Sequence, residues 1–185
     1  MPHILVVDDH RDTCRLLTRL LQSLGLTATA VPSGSAALEL FAASAGDPGP
    51  HPSPPRPNVV LLDVMMPGMD GFETLRRLRA LPEGKDVPVV MLSALSDDES
   101  RERATQLGAT DYWVKGAFEF NRFSEMLAPY LPRRFVTLPL VVGKGADVMA
   151  RDFLALRDRS PQVRHVTTAA PRSASSSVST ASPAT

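Results

Sequence analysis

Short runs of apolar residues alternate with amphipathic stretches along the first 131 positions of the chain. The runs are continuous and are bounded by polar or turn residues, which is typical of strands buried on both faces of a parallel sheet. The stretches between them repeat apolar residues at spacings of three and four, as amphipathic helices do. The pattern therefore predicts five strand–helix units, with helices on both faces of one parallel sheet.

The bounds of the predicted elements follow from where each run begins and ends. Strands are expected at residues 4–7, 26–31, 59–62, 87–92 and 112–114. Helices are expected at residues 10–24, 71–81, 97–107 and 119–130, with one more beginning at Ser33. Gly25 lies where a helix C-terminus favours glycine, and Ser33 can cap the helix that follows it.

Helical spacing also predicts which side chains are buried. The first helix is expected to bury a stripe that contains Cys14, Leu17, Leu21 and Leu24, with Leu16 and Leu20 beside it. The helix at 71–81 is expected to turn its apolar residues inward and its arginines outward, the latter being Arg76, Arg77 and Arg79.

Two parts of the chain lack this alternation. Residues 44–57 contain six prolines and no periodicity, and we interpret them as an extended loop inserted into the domain. Residues 132–166 have room for an edge strand and a short amphipathic helix, and residues 167–185 are mostly Ser, Ala, Thr and Pro, which predicts disorder. The expected organisation is a domain at 1–131, an extension at 132–166 and a tail at 167–185.

Charge is balanced overall but is unevenly distributed. The 185 residues carry 20 basic and 20 acidic side chains, yet residues 1–131 have a net charge of −5 and residues 132–185 a net charge of +5. No apolar run approaches the ~20 residues of a membrane helix, and the N-terminal apolar run ends at two carboxylates, unlike a secretory signal. A single Cys14 excludes an intramolecular disulfide. We expect a cytoplasmic protein.

Polar side chains follow four of the five predicted strands. Asp8 and Asp9 come after the first strand, Asp63 after the third, Ser93 after the fourth and Lys115 after the fifth. Ligands of a doubly wound sheet bind just beyond the carboxyl ends of its strands. These five side chains are therefore expected to lie together at one edge of the sheet.

Three neighbouring carboxylates repel one another unless a cation lies among them. Oxygen ligands without histidine or cysteine suit a hard cation, and few protein ligands supplemented by water suit Mg²⁺. A carboxylate-bound cation beside an ammonium and a hydroxyl has the components needed to handle a phosphoryl group. The sequence thus predicts an Mg²⁺-dependent phosphoryl site.

Four segments of the chain resemble the receiver domain of two-component response regulators. They are Ile4-Leu5-Val6-Val7-Asp8-Asp9, residues 61–71 (LLDVMMPGMDG), Met91-Leu92-Ser93-Ala94 and residues 108–115 (GATDYWVK). The resemblance runs from about residue 2 to residue 131. It implies a flavodoxin-like α/β fold, a doubly wound five-stranded parallel sheet in the order 2-1-3-4-5, and a regulatory phosphoacceptor rather than an enzyme.

The resemblance implies a role for each acid of the site. Asp63 matches the phosphoacceptor, whose carboxylate takes a phosphoryl group from a phosphohistidine of a sensor histidine kinase or phosphotransfer protein. Asp9 matches the acid that binds Mg²⁺ directly, and Asp8 the acid that acts largely through water. The backbone carbonyl of Met65 matches a further protein ligand of the metal.

The resemblance also assigns the remaining polar residues. Lys115 matches the residue that pairs with the acceptor and then with the phosphoryl oxygens. Ser93 matches the hydroxyl that moves toward the phosphoryl group, and Tyr112 matches the aromatic switch residue whose rotamer follows it. The chain departs from the family at Gly116, where a proline usually follows the lysine, and we expect a trans peptide bond there.

Other residues are expected to have structural roles. Cys14, Trp113 and Phe118 are interpreted as packing residues, and His10 as an exposed residue near the mouth of the site.

Two alternatives to a phosphoacceptor module remain open. One is a degenerate receiver used as an interaction scaffold, and the other is a transcription regulator with a non-standard basic tail. DNA binding is not expected, because the basic residues of 132–185 are sparse and form no recognition helix. A helix at 146–159 could instead dock on the fourth helix and fifth strand and respond to phosphorylation.

Overall fold

The computed structural model describes residues 1–45, 55–115 and 122–132. Its five strands are β1 (His3–Val7), β2 (Thr27–Val31), β3 (Val59–Asp63), β4 (Val89–Ser93) and β5 (Asp111–Val114). They form one parallel sheet in the order β2-β1-β3-β4-β5. The predicted doubly wound, flavodoxin-like fold and its strand order are confirmed.

Helices connect the strands in sequence order. They are α1 (Arg11–Ser23), α2 (Gly34–Ala45), α3 (Gly71–Ala80), α4 (Asp98–Gln106) and α5 (Phe123–Leu127), and a turn of 3-10 helix follows at Ala128–Tyr130. Because α2 continues to Ala45, the expected loop cannot begin at residue 44. No helix in the described part of the chain has the length and apolar composition that a membrane crossing needs.

Side-chain alternation along the strands places the core on both faces of the sheet. Ile4 and Val6 of β1 belong to the cluster under α1 and α5, whereas Leu5 and Val7 belong to the cluster under α2 and α3. Every residue of β1, β3 and β4 is buried. Only an edge strand such as β2 keeps exposed positions, which explains its weaker apolar pattern.

The helix ends follow the residues that favour them. Gly25, at φ 72°, donates its N–H to the Gln22 carbonyl while the N–H of Leu26 bonds to the Leu21 carbonyl, so α1 ends in a Schellman motif. Ser33 Oγ accepts from the N–H of Ala36 at the start of α2. Both capping predictions are confirmed.

The predicted burial pattern needs two corrections. In α1 the buried apolar residues are Leu16, Leu17, Leu20 and Leu21, whereas Cys14 and Leu24 are only partly buried, because the helix turns a broader face to the sheet than a narrow stripe allows. In α3 the guanidinium of Arg79 does not face solvent freely but bonds to the carbonyls of Gly84, Val87 and Gly108.

Several expectations fall outside the described residues. They concern residues 46–54 of the proline-rich insertion, Gly116, Phe118, the first part of the helix at 119–130, the extension at 132–166 beyond residue 132 with its helix at 146–159, and the tail at 167–185.

Candidate functional site

The carboxyl ends of β1, β3, β4 and β5 bring four of the predicted polar residues into one region. The register pairs Asp63 with Leu92 and Ser93 with Val114, so these chain ends lie side by side. Asp8, Asp63 and Ser93 are all buried. Buried polar groups need partners, and the partners of these three define the site.

Lys115 joins two of the carboxylates. Its Nζ is 2.8 Å from Oδ2 of Asp8 and 2.9 Å from Oδ1 of Asp63. The N–H of Lys115 bonds to the Ser93 carbonyl at 2.7 Å, which fixes the start of the side chain. Burial alone would lower the pKa of Lys115, but the charges of Asp63 and Asp8 outweigh it and raise the pKa above its ordinary value, so the ammonium stays charged.

The ion pair with Lys115 does not fully offset the cost of burying the charge of Asp63. Burial raises the pKa of Asp63 to about 6, and the neighbouring charge of Asp8 adds to the increase. Lys115 and a hydrogen bond from the N–H of Met65 oppose the increase without cancelling it. A carboxylate in this condition gains from any further cation placed beside it.

Asp8, Asp9 and His10 form a second cluster where β1 passes into α1. Oδ1 of Asp8 accepts from the N–H of His10 at 2.8 Å, and Nδ1 of His10 lies 3.0 Å from Oδ1 of Asp9 and 3.6 Å from Oδ1 of Asp8. His10 is half exposed, as expected, but its contact with both acids was not predicted. The contact arises because His10 is the N-cap residue of α1, in extended conformation, which points its ring back at the acids.

The donors of this region suit a hard divalent cation. Asp8, Asp9 and Asp63 supply carboxylate oxygens, and Met65 follows Asp63 by two residues in the adjoining loop. One positive charge, that of Lys115, stands against the buried carboxylates of Asp8 and Asp63. The residues thus fit an Mg²⁺ ion by donor chemistry and by charge.

Ser93 and Tyr112 meet at the loop after β4. Oγ of Ser93 accepts from the N–H of Leu95 at 3.0 Å, and the Tyr112 hydroxyl donates to the carbonyl of Leu95 at 3.1 Å. The Tyr112 ring is buried, with the Arg101 guanidinium 5.2 Å from its centroid. Leu95, which sequence reasoning did not single out, therefore connects the hydroxyl to the aromatic ring.

Trp113 is buried, as a packing role predicts, whereas Cys14 is only partly buried against the core. The Cys14 thiol donates to the Asp8 carbonyl, and burial raises its pKa to about 11. Trp113 is buried in an edge-to-face contact with Phe123, and its indole N–H bonds to Oδ2 of Asp111 at 2.7 Å.

Comparison with known proteins gives a consistent result. The family model described as the response regulator receiver domain matches residues 4–128. The chain is 38% identical over 112 residues to an uncharacterized 14.6 kDa protein of Leptolyngbya boryana, which is 60% of this chain and 77% of that protein. It is 38% identical to the probable transcriptional regulator ycf27 of Porphyridium aerugineum and 40% identical to the transcriptional regulatory protein CseB of Streptomyces avermitilis, matching 60% and 61% of this chain. The chain spans only 41% and 42% of the length of these two regulators.

Solved structures agree with the family match. The chemotaxis response regulator CheY4 of Vibrio cholerae is 27% identical with a TM-score of 0.60, over 71% of this chain and 99% of that one. The receiver domain of a sensor histidine kinase from Pseudomonas aeruginosa, with a magnesium ion coordinated in its active site cleft, is 28% identical with a TM-score of 0.57. That comparison covers 70% of this chain and 96% of the Pseudomonas domain.

Proposed function

The chain belongs to the response regulator receiver domain family of two-component systems, and on that premise we propose that Asp63 accepts a phosphoryl group from a histidine kinase or phosphotransfer protein. The observation that carries the proposal is the position of the Lys115 ammonium, which lies within 2.9 Å of both Asp8 and Asp63. This arrangement supports a site that binds a negatively charged phosphoryl group beside buried carboxylates.

Phosphoryl transfer needs positioning and neutralisation of charge more than covalent chemistry by the protein. An Asp63 oxygen forms a bond to phosphorus as the bond from phosphorus to the donor's histidine nitrogen breaks, and the product is an acyl phosphate on Asp63. Lys115 holds the acceptor in place and stays close enough to pair with the phosphoryl oxygens. Asp8, Asp9, Asp63 and the Met65 carbonyl would hold Mg²⁺, which would supply further positive charge at those oxygens.

The signal leaves the site through Ser93 and Tyr112. Ser93 Oγ, now engaged with the N–H of Leu95, turns to the phosphoryl group and releases that N–H. The Leu95 carbonyl is the partner of the Tyr112 hydroxyl, so movement of this loop removes the hydrogen bond that holds the ring in its buried rotamer. A changed surface near α4 and β5 is then presented to a partner protein.

The test is labelling with Mg²⁺ and acetyl phosphate, read by intact mass. The parent chain should gain one phosphoryl group, and Asp63→Asn should gain none, since the amide keeps the shape of the side chain and loses the nucleophile. Asp70→Asn is the matched control, because Asp70 lies in the same loop but caps α3 through the N–H of Glu73, a role that asparagine also fills. Full labelling of Asp63→Asn would refute the assignment.

A degenerate receiver that serves only as a scaffold is the alternative within the family. It predicts no labelling of the parent chain under the same conditions. The described residues do not favour it, because a scaffold has no need for Asp8, Asp63 and Lys115 in contact.

A second candidate function is transcription regulation. Curated relatives named transcriptional regulators match this chain, which weighs against the expectation that it does not bind DNA. The basic segment 132–185 is the source of positive charge for such binding. Fluorescence anisotropy with duplex DNA, at two salt concentrations and with and without acetyl phosphate, measures such binding. No change in anisotropy would favour signalling to a protein partner in the cytoplasm.

A further inference from the structure

His10 places a nitrogen donor beside the acids of the proposed metal site. Its Nδ1 is 3.0 Å from Oδ1 of Asp9 and 3.6 Å from Oδ1 of Asp8. One ligand atom from each of the three residues lies within 4.8 Å of the other two. The side chain remains 52% exposed, so its ring has room to adjust to an ion.

The 3.0 Å separation between His10 and Asp9 matches the spacing of neighbouring ligands around one six-coordinate cation. With bonds of about 2.1 Å, neighbouring ligands of an octahedral ion lie about 3 Å apart, and opposite ligands about 4.2 Å apart. The nitrogen of His10 and the oxygen of Asp9 already have the spacing of neighbours. The two atoms can therefore take adjacent positions on an ion with little movement of either residue.

The hydrogen bonds of Asp8 leave Asp9 and His10 as the more available donors. Oδ1 of Asp8 accepts from the N–H of His10, and Oδ2 accepts from the ammonium of Lys115. Asp9 is 24% exposed, and its described side-chain contact is the one between its Oδ1 and Nδ1 of His10. A cation that binds between these two atoms replaces the contact and can take both atoms as ligands.

We propose that His10 is a direct nitrogen ligand of the cation held at Asp8 and Asp9, and that it makes this site favour Mn²⁺ or Co²⁺ over Mg²⁺. The proposal rests on the proposed function, because it concerns the metal of the same site. Mg²⁺ prefers oxygen ligands and gives up its water reluctantly. Imidazole suits the later divalent cations, whose affinity for nitrogen-containing sites rises from Mn²⁺ to Co²⁺.

Calorimetric titration of the full chain with each metal alone tests the selectivity. His10→Phe keeps a ring without a nitrogen, and His10→Asn keeps a good N-cap residue for α1 should the first variant fold poorly. Both substitutions should weaken Co²⁺ and Mn²⁺ binding by about tenfold or more, and should change Mg²⁺ binding far less. His3→Gln is the control, because His3 lies at the opposite end of β1, where Nδ1 contacts Thr27.

Pulsed electron paramagnetic resonance of bound Mn²⁺ distinguishes a ligand from a residue that only positions Asp9. Nitrogen coupling should be present in the parent chain and in His3→Gln, and absent in both His10 variants. No nitrogen coupling in the parent chain, or equal loss of Mg²⁺ and Mn²⁺ affinity in the variants, would overturn the ligand role while Mg²⁺-dependent labelling of Asp63 stands. If none of the three metals bound to the parent chain, the proposed function would be overturned as well.

Discussion

At the scale of single residues, the main feature of the site is that its buried charges have few partners to stabilise them. Asp8 and Asp63 are buried carboxylates that share one ammonium, and the pKa of Asp63 remains raised to about 6 by burial. The metal-free site therefore holds an acid whose ionisation opposes folding. This has a measurable consequence for stability.

The free energy of unfolding of the metal-free chain should contain a component that falls as the pH rises from about 4 to 6. The unfolded Asp63 carboxyl has an ordinary pKa near 3.9, so in this window the folded chain binds a proton that the unfolded chain has released. The stabilisation is complete below about pH 4 and is lost above about pH 6, with a size of roughly 3 kcal/mol at most. Asp63→Asn removes it.

Urea denaturation with a metal chelator, from pH 4 to 7.5, measures the free energy of unfolding of the parent chain and of Asp63→Asn. The difference between the two chains at each pH gives the pH-dependent component. Asp98→Asn is the control for the loss of one carboxylate, because Asp98 is exposed at the start of α4. A difference between parent and Asp63→Asn that is the same at both ends of the range would contradict the prediction.

The polar site could be predicted from sequence, but the contacts of its neighbours could not. Asp8 and Lys115 follow a strand, and Asp63 and Ser93 end one. Parallel strands end at one edge of the sheet, so local pattern is enough to place the four residues together. His10 was interpreted as an exposed residue because its spacing carries no signal. Its contact with Asp9 depends on the backbone angles at the α1 N-cap, which a hydrophobic pattern does not encode.

At the scale of elements, Arg79 ties the C-terminal end of α3 to two loops. Its guanidinium bonds to the Gly108 carbonyl after α4 and to the Gly84 and Val87 carbonyls before β4. Arg77, two positions earlier, is exposed and pairs with Glu73 at 2.6 Å. Sequence pattern treats the two arginines alike, since both flank an apolar stripe, and only the position of the neighbouring loops separates them.

Arg79→Met should lower the free energy of unfolding by about 2–3 kcal/mol, because three carbonyls lose a charged donor. Arg77→Met is the matched control and should change stability far less, because its ion pair with Glu73 is exposed to solvent. Chemical denaturation of both variants checks this. Equal effects of the two substitutions would show that the contacts of Arg79 contribute little.

The start of α3 packs directly on the backbone of Asp63 and Val64. A Cβ at Gly71 would clash with the carbonyl oxygen of Asp63 and lie 2.8 Å from Cα of Val64. Gly71→Ala should therefore destabilise the chain by about 1–3 kcal/mol, as overpacking does, and should also slow labelling, because the end of β3 that carries Asp63 must shift.

Gly25→Ala is the control that separates loss of stability from slower labelling in Gly71→Ala. Gly25 has φ 72° and open space around its Cβ position, so alanine there costs about 1 kcal/mol in backbone strain and leaves the site untouched. Thermal melting together with labelling by acetyl phosphate provides both readings. Normal labelling of a destabilised Gly71→Ala would argue against coupling between α3 packing and the acceptor.

At the scale of the whole molecule, the described sheet and helices end by residue 132, where the net charge of the chain changes sign. The family match ends at residue 128, and the described members of the two core clusters lie no later than Leu131. We therefore predict that a chain ending at residue 132 folds and accepts a phosphoryl group as the full chain does.

Thermal melting and acetyl phosphate labelling of the two chains, side by side, measure the contribution of residues 133–185. Slower labelling of the full chain that becomes faster at high salt would instead indicate that the basic segment lies against the acidic body. A shortened chain that fails to melt cooperatively would place the domain boundary later than residue 132.

The contact between Asp8 and Lys115 also bears on how the chain is made. The two residues are 107 positions apart, and β5 is the edge strand that joins the sheet last in chain order. Pairings of such high contact order form slowly, because distant parts of the chain must first be brought together. A nascent chain still lacking β5 on the ribosome has Asp63 but no ammonium to complete the acceptor. Under the proposed function, the ability to accept a phosphoryl group therefore coincides with completion of the fold.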